Sequence, residues 1–155
     1  MKAVSKYKPL IVIIAVIVLA SWAISYNDPN LNFMPAFMGL FFIIFAMFKL
    51  IDLLGFVKGF AMYDLLTKRY RNYAYAYPFI ELVLGLFYLA GFVPVLTNLV
   101  TVIIMFISAA GVILSIKRGM NLKCACLGTT LEVPLSTVSI IENVGMGVMA
   151  LVLLV

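Results

Sequence analysis

Two cysteines stand one residue apart in a short basic stretch between two long apolar runs. Cys124 and Cys126 follow Lys123 directly, and Lys117 and Arg118 precede them in the same stretch. Positive charge near a thiol favours the thiolate, which is the form that attacks disulfides and binds metals. Such a pair can cycle between dithiol and disulfide, or chelate a soft ion such as Cu(I) or Hg(II). The spacing alone is also compatible with two inert loop thiols.

Acidic side chains inside the apolar runs form a second group of residues that could take part in chemistry. Glu81 and Glu142 lie within such runs, where a charge at mid-helix costs about 2.5–3.5 kcal/mol and marks function or pairing. We expect both to face a polar cavity and either to manage protons or to line an ion path. Lys49 and Asp52 share one helix face and can pair with each other or simply fix a helix end. Asp64 can add hydrogen bonds to the same cavity.

The amino-acid composition indicates the environment of these residues. The chain has 155 residues, of which 66% are hydrophobic and 11% charged, and it has no histidine. A soluble domain is only about 45–50% apolar, so the sequence predicts an integral membrane protein. The absence of histidine removes the commonest general base and metal ligand. The net charge of +5 is interpreted as a signal of membrane topology, and nucleic acid is not expected as a partner.

Five apolar segments predict membrane-spanning helices, and several of them reach the roughly 20 residues needed to cross a bilayer. They cover residues 9–26, 34–54, 78–92, 97–116 and 137–155. A sixth segment, residues 56–67, is broken by glycines and carries charges, so it predicts an interfacial amphipathic helix. Tyrosines between residues 70 and 77 predict an aromatic belt before Pro78 opens the third span. The first segment also fits the pattern of a cleaved signal peptide.

The distribution of positive charge predicts the orientation of the spans. With the start of the chain inside the cell, residues 1–9, 49–77 and 117–135 lie on the inner side, and these segments contain all 11 Lys and Arg residues. This agrees with the positive-inside rule. We therefore expect the N-terminus and the cysteine stretch in the cytoplasm and the C-terminus outside. The buried charges then lie in the cytoplasmic half of the membrane, at the depth reached from the cysteine stretch.

Several short motifs follow one another along the chain. They are FKLID at residues 48–52, MYDL at 62–65, YPFIEL at 77–82, TNLVT at 97–101, KCACLGT at 123–129 and PLSTVSIIE at 134–142. In this order they resemble a branch of the MauE/DoxX family of small bacterial membrane proteins, over about residues 33–150. One departure is Asn143, where the resemblance leads us to expect an acidic residue.

The resemblance implies a fold and a location. It implies an all-α membrane protein with a four-helix transmembrane bundle at residues 33–155, preceded by an extra N-terminal transmembrane helix and outer loop at residues 1–32. It also implies a bacterial inner membrane. Members of this branch are labelled redox-associated or heavy-metal tolerance proteins. MauE-like proteins are associated with disulfide formation during maturation of methylamine dehydrogenase, and DoxX relatives with quinone or thiosulfate oxidation.

Three functions remain open at this point. In the first, which we prefer, Cys124 and Cys126 exchange electrons with a thioredoxin-like partner or a quinone while Glu81 or Glu142 manages protons. In the second, the thiols receive a soft metal ion from a metal-carrying protein and the buried acids line its path. In the third, the protein is an assembly subunit without chemistry of its own. All three share the lipid bilayer as a partner.

Overall fold

The chain is almost entirely helical over the residues that the structure describes. The computed structural model describes residues 2–27, 31–118 and 135–155, and the side-chain surroundings of residues 8–27, 31–118 and 139–155. Within these ranges there are seven helices and no strand. The helices are α1 (Lys2–Asn27), α2 (Phe33–Ile51), α3 (Leu53–Tyr63), α4 (Leu65–Arg69), α5 (Arg71–Ala90), α6 (Pro94–Lys117) and α7 (Leu135–Val152). The all-α prediction is therefore confirmed.

Four helices in the described part of the chain are long and apolar enough to cross a membrane. They are α1 from Lys8 onward, α2, α5 and α6. Large apolar side chains such as Leu19, Leu86 and Leu99 are exposed on their outer surfaces, as expected for contact with lipid. Helix α7 has 18 residues and is about 27 Å long at ~1.5 Å per residue, so the fifth span stays a prediction.

The helices are arranged as two closely packed pairs, α2 with α5 and α6 with α7, and α1 packs on α2. Glycines bring α2 and α5 together, because a methyl group at Gly85 would come within 2.9 Å of the Gly39 carbonyl oxygen. The two helices are antiparallel, since Lys49, near the end of α2, meets Glu81, which precedes Gly85 on α5. This close contact aligns the two charged side chains.

The helix predicted over residues 56–67 is found as two helices, α3 and α4, with a break at Asp64. The Asp64 backbone is extended (φ −72°, ψ 134°), and its side chain caps α4 by accepting a hydrogen bond from the Thr67 N–H. Helix α6 packs directly against this break, because a methyl group at Gly111 would lie 2.7 Å from the Tyr63 carbonyl oxygen. The break therefore holds Tyr63 and Asp64 inside the bundle.

Helix α5 begins at Arg71. The predicted start at Pro78, about two turns later, was wrong. Aromatic packing explains the extension, because the rings of Tyr73 and Tyr77 lie 6.3 and 4.6 Å from the ring of Phe60 on α3. Tyr77 is only 2% exposed. Part of the predicted aromatic belt is therefore interior packing, which stabilises the early turns of α5 against α3.

Candidate functional site

A buried ion pair joins α2 to α5. The Lys49 Nζ donates hydrogen bonds to both carboxylate oxygens of Glu81, at 2.5 Å each, and the two side chains are 7% and 5% exposed. The same ammonium group lies 5.6 Å from the ring centre of Phe56 and 5.0 Å from that of Tyr77. Both distances are within the range of cation–π attraction. The ammonium group is thus held by one carboxylate and two aromatic rings.

A small cavity lies beside this ion pair, between the α2–α5 pair and the α6–α7 pair. Its volume is about 20 Å³, which is room for about one water molecule. The polar side chains around it are Lys49, Tyr63, Tyr77, Glu81, Ser108, Glu142 and Asn143. The apolar walls are Phe41, Phe42, Phe45, Phe56, Phe60, Met105 and Met146. The cavity is therefore a polar pocket enclosed mainly by aromatic rings.

Glu142 is the second carboxylate of this cavity. Its Oε1 atom is fully buried and has no hydrogen-bond partner among the described residues. Glu81, by contrast, has both oxygens bonded to Lys49. An ionised carboxylate without a partner is costly to bury. Glu142 is thus suited to hold a proton or to bind a cation.

A chain of polar side chains links the four helices around the cavity. On α7, the Asn143 Nδ2 donates a hydrogen bond to the Ser108 Oγ on α6, at 3.3 Å. The Tyr77 side chain on α5 interacts with both Ser108 and Glu81, and Glu81 bonds to Lys49 on α2. Buried polar groups stabilise a fold when such a network satisfies them. The chain therefore fixes the positions of the charged groups around the cavity.

Three residues singled out from the sequence, Lys49, Glu81 and Glu142, meet at this cavity. Sequence spacing offers Asp52 as a neighbour for Lys49, whereas the structure pairs Lys49 with Glu81 on another helix. The Asp52 Oδ1 accepts a hydrogen bond from the Gly55 N–H at 3.0 Å and so caps α3. Asp52 thus lies at the helix junction next to the site.

Asp64 is completely buried at the break between α3 and α4. Its Oδ1 accepts hydrogen bonds from the Thr67 N–H at 2.8 Å and from the Thr67 Oγ1 at 2.9 Å, whereas its Oδ2 is buried without a partner in the described part of the chain. Burial raises the pKa of the Asp64 carboxyl above its ordinary value, against the opposing effect of the Thr67 hydrogen bonds. Asp64 adjoins the cavity through its neighbour Tyr63, which lines it.

The remaining predicted site residues, Lys123, Cys124 and Cys126, lie outside the described residues. Their place in the chain still relates them to the cavity. Helix α6 ends at Lys117 and α7 begins at Leu135, so the stretch that carries the thiols leads directly into α7. Glu142 lies about two turns after the start of α7, which is roughly 10 Å along the helix axis at 1.5 Å per residue.

Comparison with known families matches almost the whole chain. The model of the family described as methylamine utilisation protein MauE covers residues 10–155. The chain belongs to the MauE family. The match includes most of α1, all cavity residues and both cysteines, and it confirms the resemblance to MauE/DoxX-like proteins. No curated protein and no solved structure matches. Together with the four membrane-length helices, the match identifies a multi-pass membrane protein.

Tyr77 and Ser108 are polar residues of the cavity that were not singled out from the sequence of this MauE-family protein. Tyr77 was assigned to the aromatic belt. A usable signal existed for Tyr77, which lies four residues before Glu81 and so on the same helix face. Ser108 stands in an otherwise small and apolar stretch of α6, and its contact with Asn143 depends on how α6 and α7 pack.

Proposed function

We propose that this MauE-family protein is an inner-membrane protein of thiol–disulfide redox type. Cys124 and Cys126 pass electrons between the cytoplasmic side and a thioredoxin-like partner protein or a membrane quinone. The cations at Lys117, Arg118 and Lys123 support this role, because positive charge favours the reactive thiolates. The family's description as a methylamine utilisation protein is compatible with a role in the maturation of another protein.

The observation that carries the proposal is the buried, unpartnered Oε1 of Glu142. Oxidation of two thiols to a disulfide releases two protons along with two electrons. A carboxylate on the helix that continues from the cysteine stretch is well suited to take up and return such a proton. Glu81 is less suited, because Lys49 occupies both of its oxygens. We therefore assign proton handling to Glu142 and its positioning to the Lys49–Glu81 pair.

The proposed exchange balances without a further reactant when the partner supplies a disulfide. One thiolate of the pair attacks the partner's disulfide, so that a mixed disulfide forms and one partner sulfur leaves as a thiolate. The second thiolate then attacks the mixed disulfide, which forms the Cys124–Cys126 bond and releases the partner's second sulfur. The partner gains two electrons and takes up two protons. The reverse sequence of steps reduces this protein.

The proposed orientation places the N-terminus and the cysteine stretch in the cytoplasm and the C-terminus outside. It is supported by the position of positive charge at the end of the bundle where α2 and α6 end and α5 begins. The described Lys and Arg residues at that end are Lys8, Lys49, Lys58, Lys68, Arg69, Arg71, Lys117 and Arg118. The positive-inside rule assigns such an end to the cytoplasm.

A redox titration of the purified full-length protein tests this function. The protein is equilibrated with dithiothreitol at a series of oxidised-to-reduced ratios, and free thiols are counted by maleimide labelling and mass spectrometry. We expect Cys124 and Cys126 to disappear together, reversibly, as one intramolecular disulfide. Thiols that never form this disulfide, but take up one Cu(I) or Hg(II), would contradict the proposal and favour a soft-metal protein. Thiols that do neither would favour an assembly subunit.

A further inference from the structure

The cavity beside the Lys49–Glu81 pair has an unequal number of positive and negative groups. Its lining contains two carboxylates, Glu81 and Glu142, and one ammonium group, Lys49. Lys49 bonds to both oxygens of Glu81, whereas the Oε1 of Glu142 has no hydrogen-bond partner among the residues the structure describes. A second positive group would therefore satisfy this oxygen and balance the charge of the cavity.

Lys49 itself shows how this cavity stabilises an ammonium group. Its Nζ is bonded to a carboxylate and lies 5.6 and 5.0 Å from the ring centres of Phe56 and Tyr77. Carboxylates and aromatic faces together form the usual recognition site for ammonium ions in proteins. Glu142 lines the same cavity together with further aromatic rings. Those rings are Phe41, Phe42, Phe45 and Phe60.

We propose that this cavity binds the ammonium ion, with Glu142 as its counter-charge. The N–H groups of the ion donate a hydrogen bond to the Glu142 Oε1, while the phenylalanine rings enclose its remaining surface. The cavity volume of about 20 Å³ suits an ion close to a water molecule in size. The inference does not depend on the thiol chemistry proposed above.

The lining favours an ammonium ion over a metal cation of similar charge. Hard cations such as sodium or magnesium need several oxygen ligands to replace their water shells. Here most of the wall is aromatic or thioether carbon, and the Ser108 Oγ already accepts a hydrogen bond from Asn143. An ammonium ion needs fewer oxygen partners, because it also gains from the ring faces. The chemistry of the wall therefore selects the class of cation.

Thermal unfolding of the purified full-length protein tests the site, since a bound ligand raises the Tm by mass action. Chlorides of ammonium, methylammonium, sodium and tetramethylammonium are compared at equal ionic strength. We expect a saturable rise in Tm with ammonium, and none with sodium or with the larger methylammonium and tetramethylammonium. Glu142→Gln removes the rise, whereas Lys58→Gln, at an exposed site on α3, keeps it. An equal rise with sodium would overturn the assignment.

A second measurement keeps the proposal testable if Glu142→Gln fails to fold. A hydrophobic carbodiimide modifies buried carboxyl groups, and mass spectrometry locates the adduct in the wild-type protein. We expect ammonium, but not sodium, to protect Glu142 from modification. Unprotected labelling at saturating ammonium would overturn the proposal. The same protection in a protein with both cysteines changed to serine would separate this site from the redox function, whichever way the thiol titration turns out.

Discussion

Lys49 and Glu81 are 32 residues apart in the sequence, yet their charged groups are in direct contact inside the bundle. The contact ties the end of α2 to the middle of α5 and lies on the wall of the cavity that also contains Glu142. Breaking a buried ion pair by removing one partner leaves an uncompensated charge and costs about 3–5 kcal/mol. This pair is therefore the part of the site whose loss should be easiest to measure.

We predict that Lys49→Met lowers the free energy of unfolding by about 3–5 kcal/mol, because Glu81 is left charged without a partner. Lys49→Met combined with Glu81→Gln should be less damaging than Lys49→Met alone. Denaturant unfolding in detergent, followed by circular dichroism, measures both. Lys58→Gln, which removes an exposed cation from α3, serves as the control and should change little. Equal losses in the single and double variants would contradict a direct ion pair.

The glycine contact between α2 and α5 gives a second prediction. Gly85→Ala places a methyl group 2.9 Å from the Gly39 carbonyl oxygen and 3.0 Å from the Ile43 nitrogen, so the helices must move apart. Overpacking of this kind typically costs about 1–3 kcal/mol. Gly145→Ala is the matched control, since outside the backbone of its own helix no atom of the described residues lies within 4 Å of a methyl group there. A decrease in Tm for Gly145→Ala as large as that for Gly85→Ala would contradict this packing.

The buried carboxyl of Asp64 predicts how stability depends on pH. Burial raises its folded-state pKa above the ordinary value of about 3.9 for an unfolded chain. As the pH rises through that value, the unfolded chain releases its proton first, so the free energy of unfolding falls until the folded carboxyl also ionises. Asp64→Asn keeps a capping side chain and should not show this fall.

The measurement for Asp64 is the Tm of the wild type and of Asp64→Asn from acidic to neutral pH. We expect the wild type to be most stable relative to the variant at acidic pH and to lose that advantage as the pH rises. A difference in Tm that does not change with pH would contradict the raised pKa. A difference that grows in favour of the wild type with rising pH would indicate the opposite shift.

The main helices were predictable from the sequence because their amino-acid composition is strongly apolar. Apolar runs of sufficient length predict α1, α2 and α6 directly, since nothing else can satisfy the backbone in lipid. The start of α5 was not predictable in the same way. Pro78 is a common first residue of a helix, but the packing of Tyr73 and Tyr77 on α3 extends the helix past it, and a single sequence does not show that contact.

The candidate site was predictable in part, for a similar reason. A buried charge is costly wherever its helix lies, so Glu81 and Glu142 stand out from composition alone. The partner of a charge depends on packing between helices. Lys49 has Asp52 at helical spacing but bonds to Glu81, because the crossing of α2 and α5 at Gly39 and Gly85 brings the two together.

The orientation of the bundle can be tested with reporters. We predict that alkaline phosphatase fused after Val155 is active, because the proposed orientation places that end outside the cytoplasm, and that a green fluorescent protein fused there is dark. The same reporters fused after Arg118, at the end of α6, should behave in the opposite way. Fluorescence from the fusion at Val155 would contradict the orientation and move the cysteine stretch to the outer side.

Trapping a mixed disulfide in cells tests the central claim most directly. In thiol–disulfide exchange, removing the second thiol leaves the first one bound to its partner. We predict that either Cys124→Ser or Cys126→Ser accumulates a complex with a partner protein that reducing agent releases. The wild type should show little of it, and the double serine variant none. If neither single variant forms such a complex, while the protein still reaches the membrane, the account of a thiol-redox protein with a protein partner is contradicted.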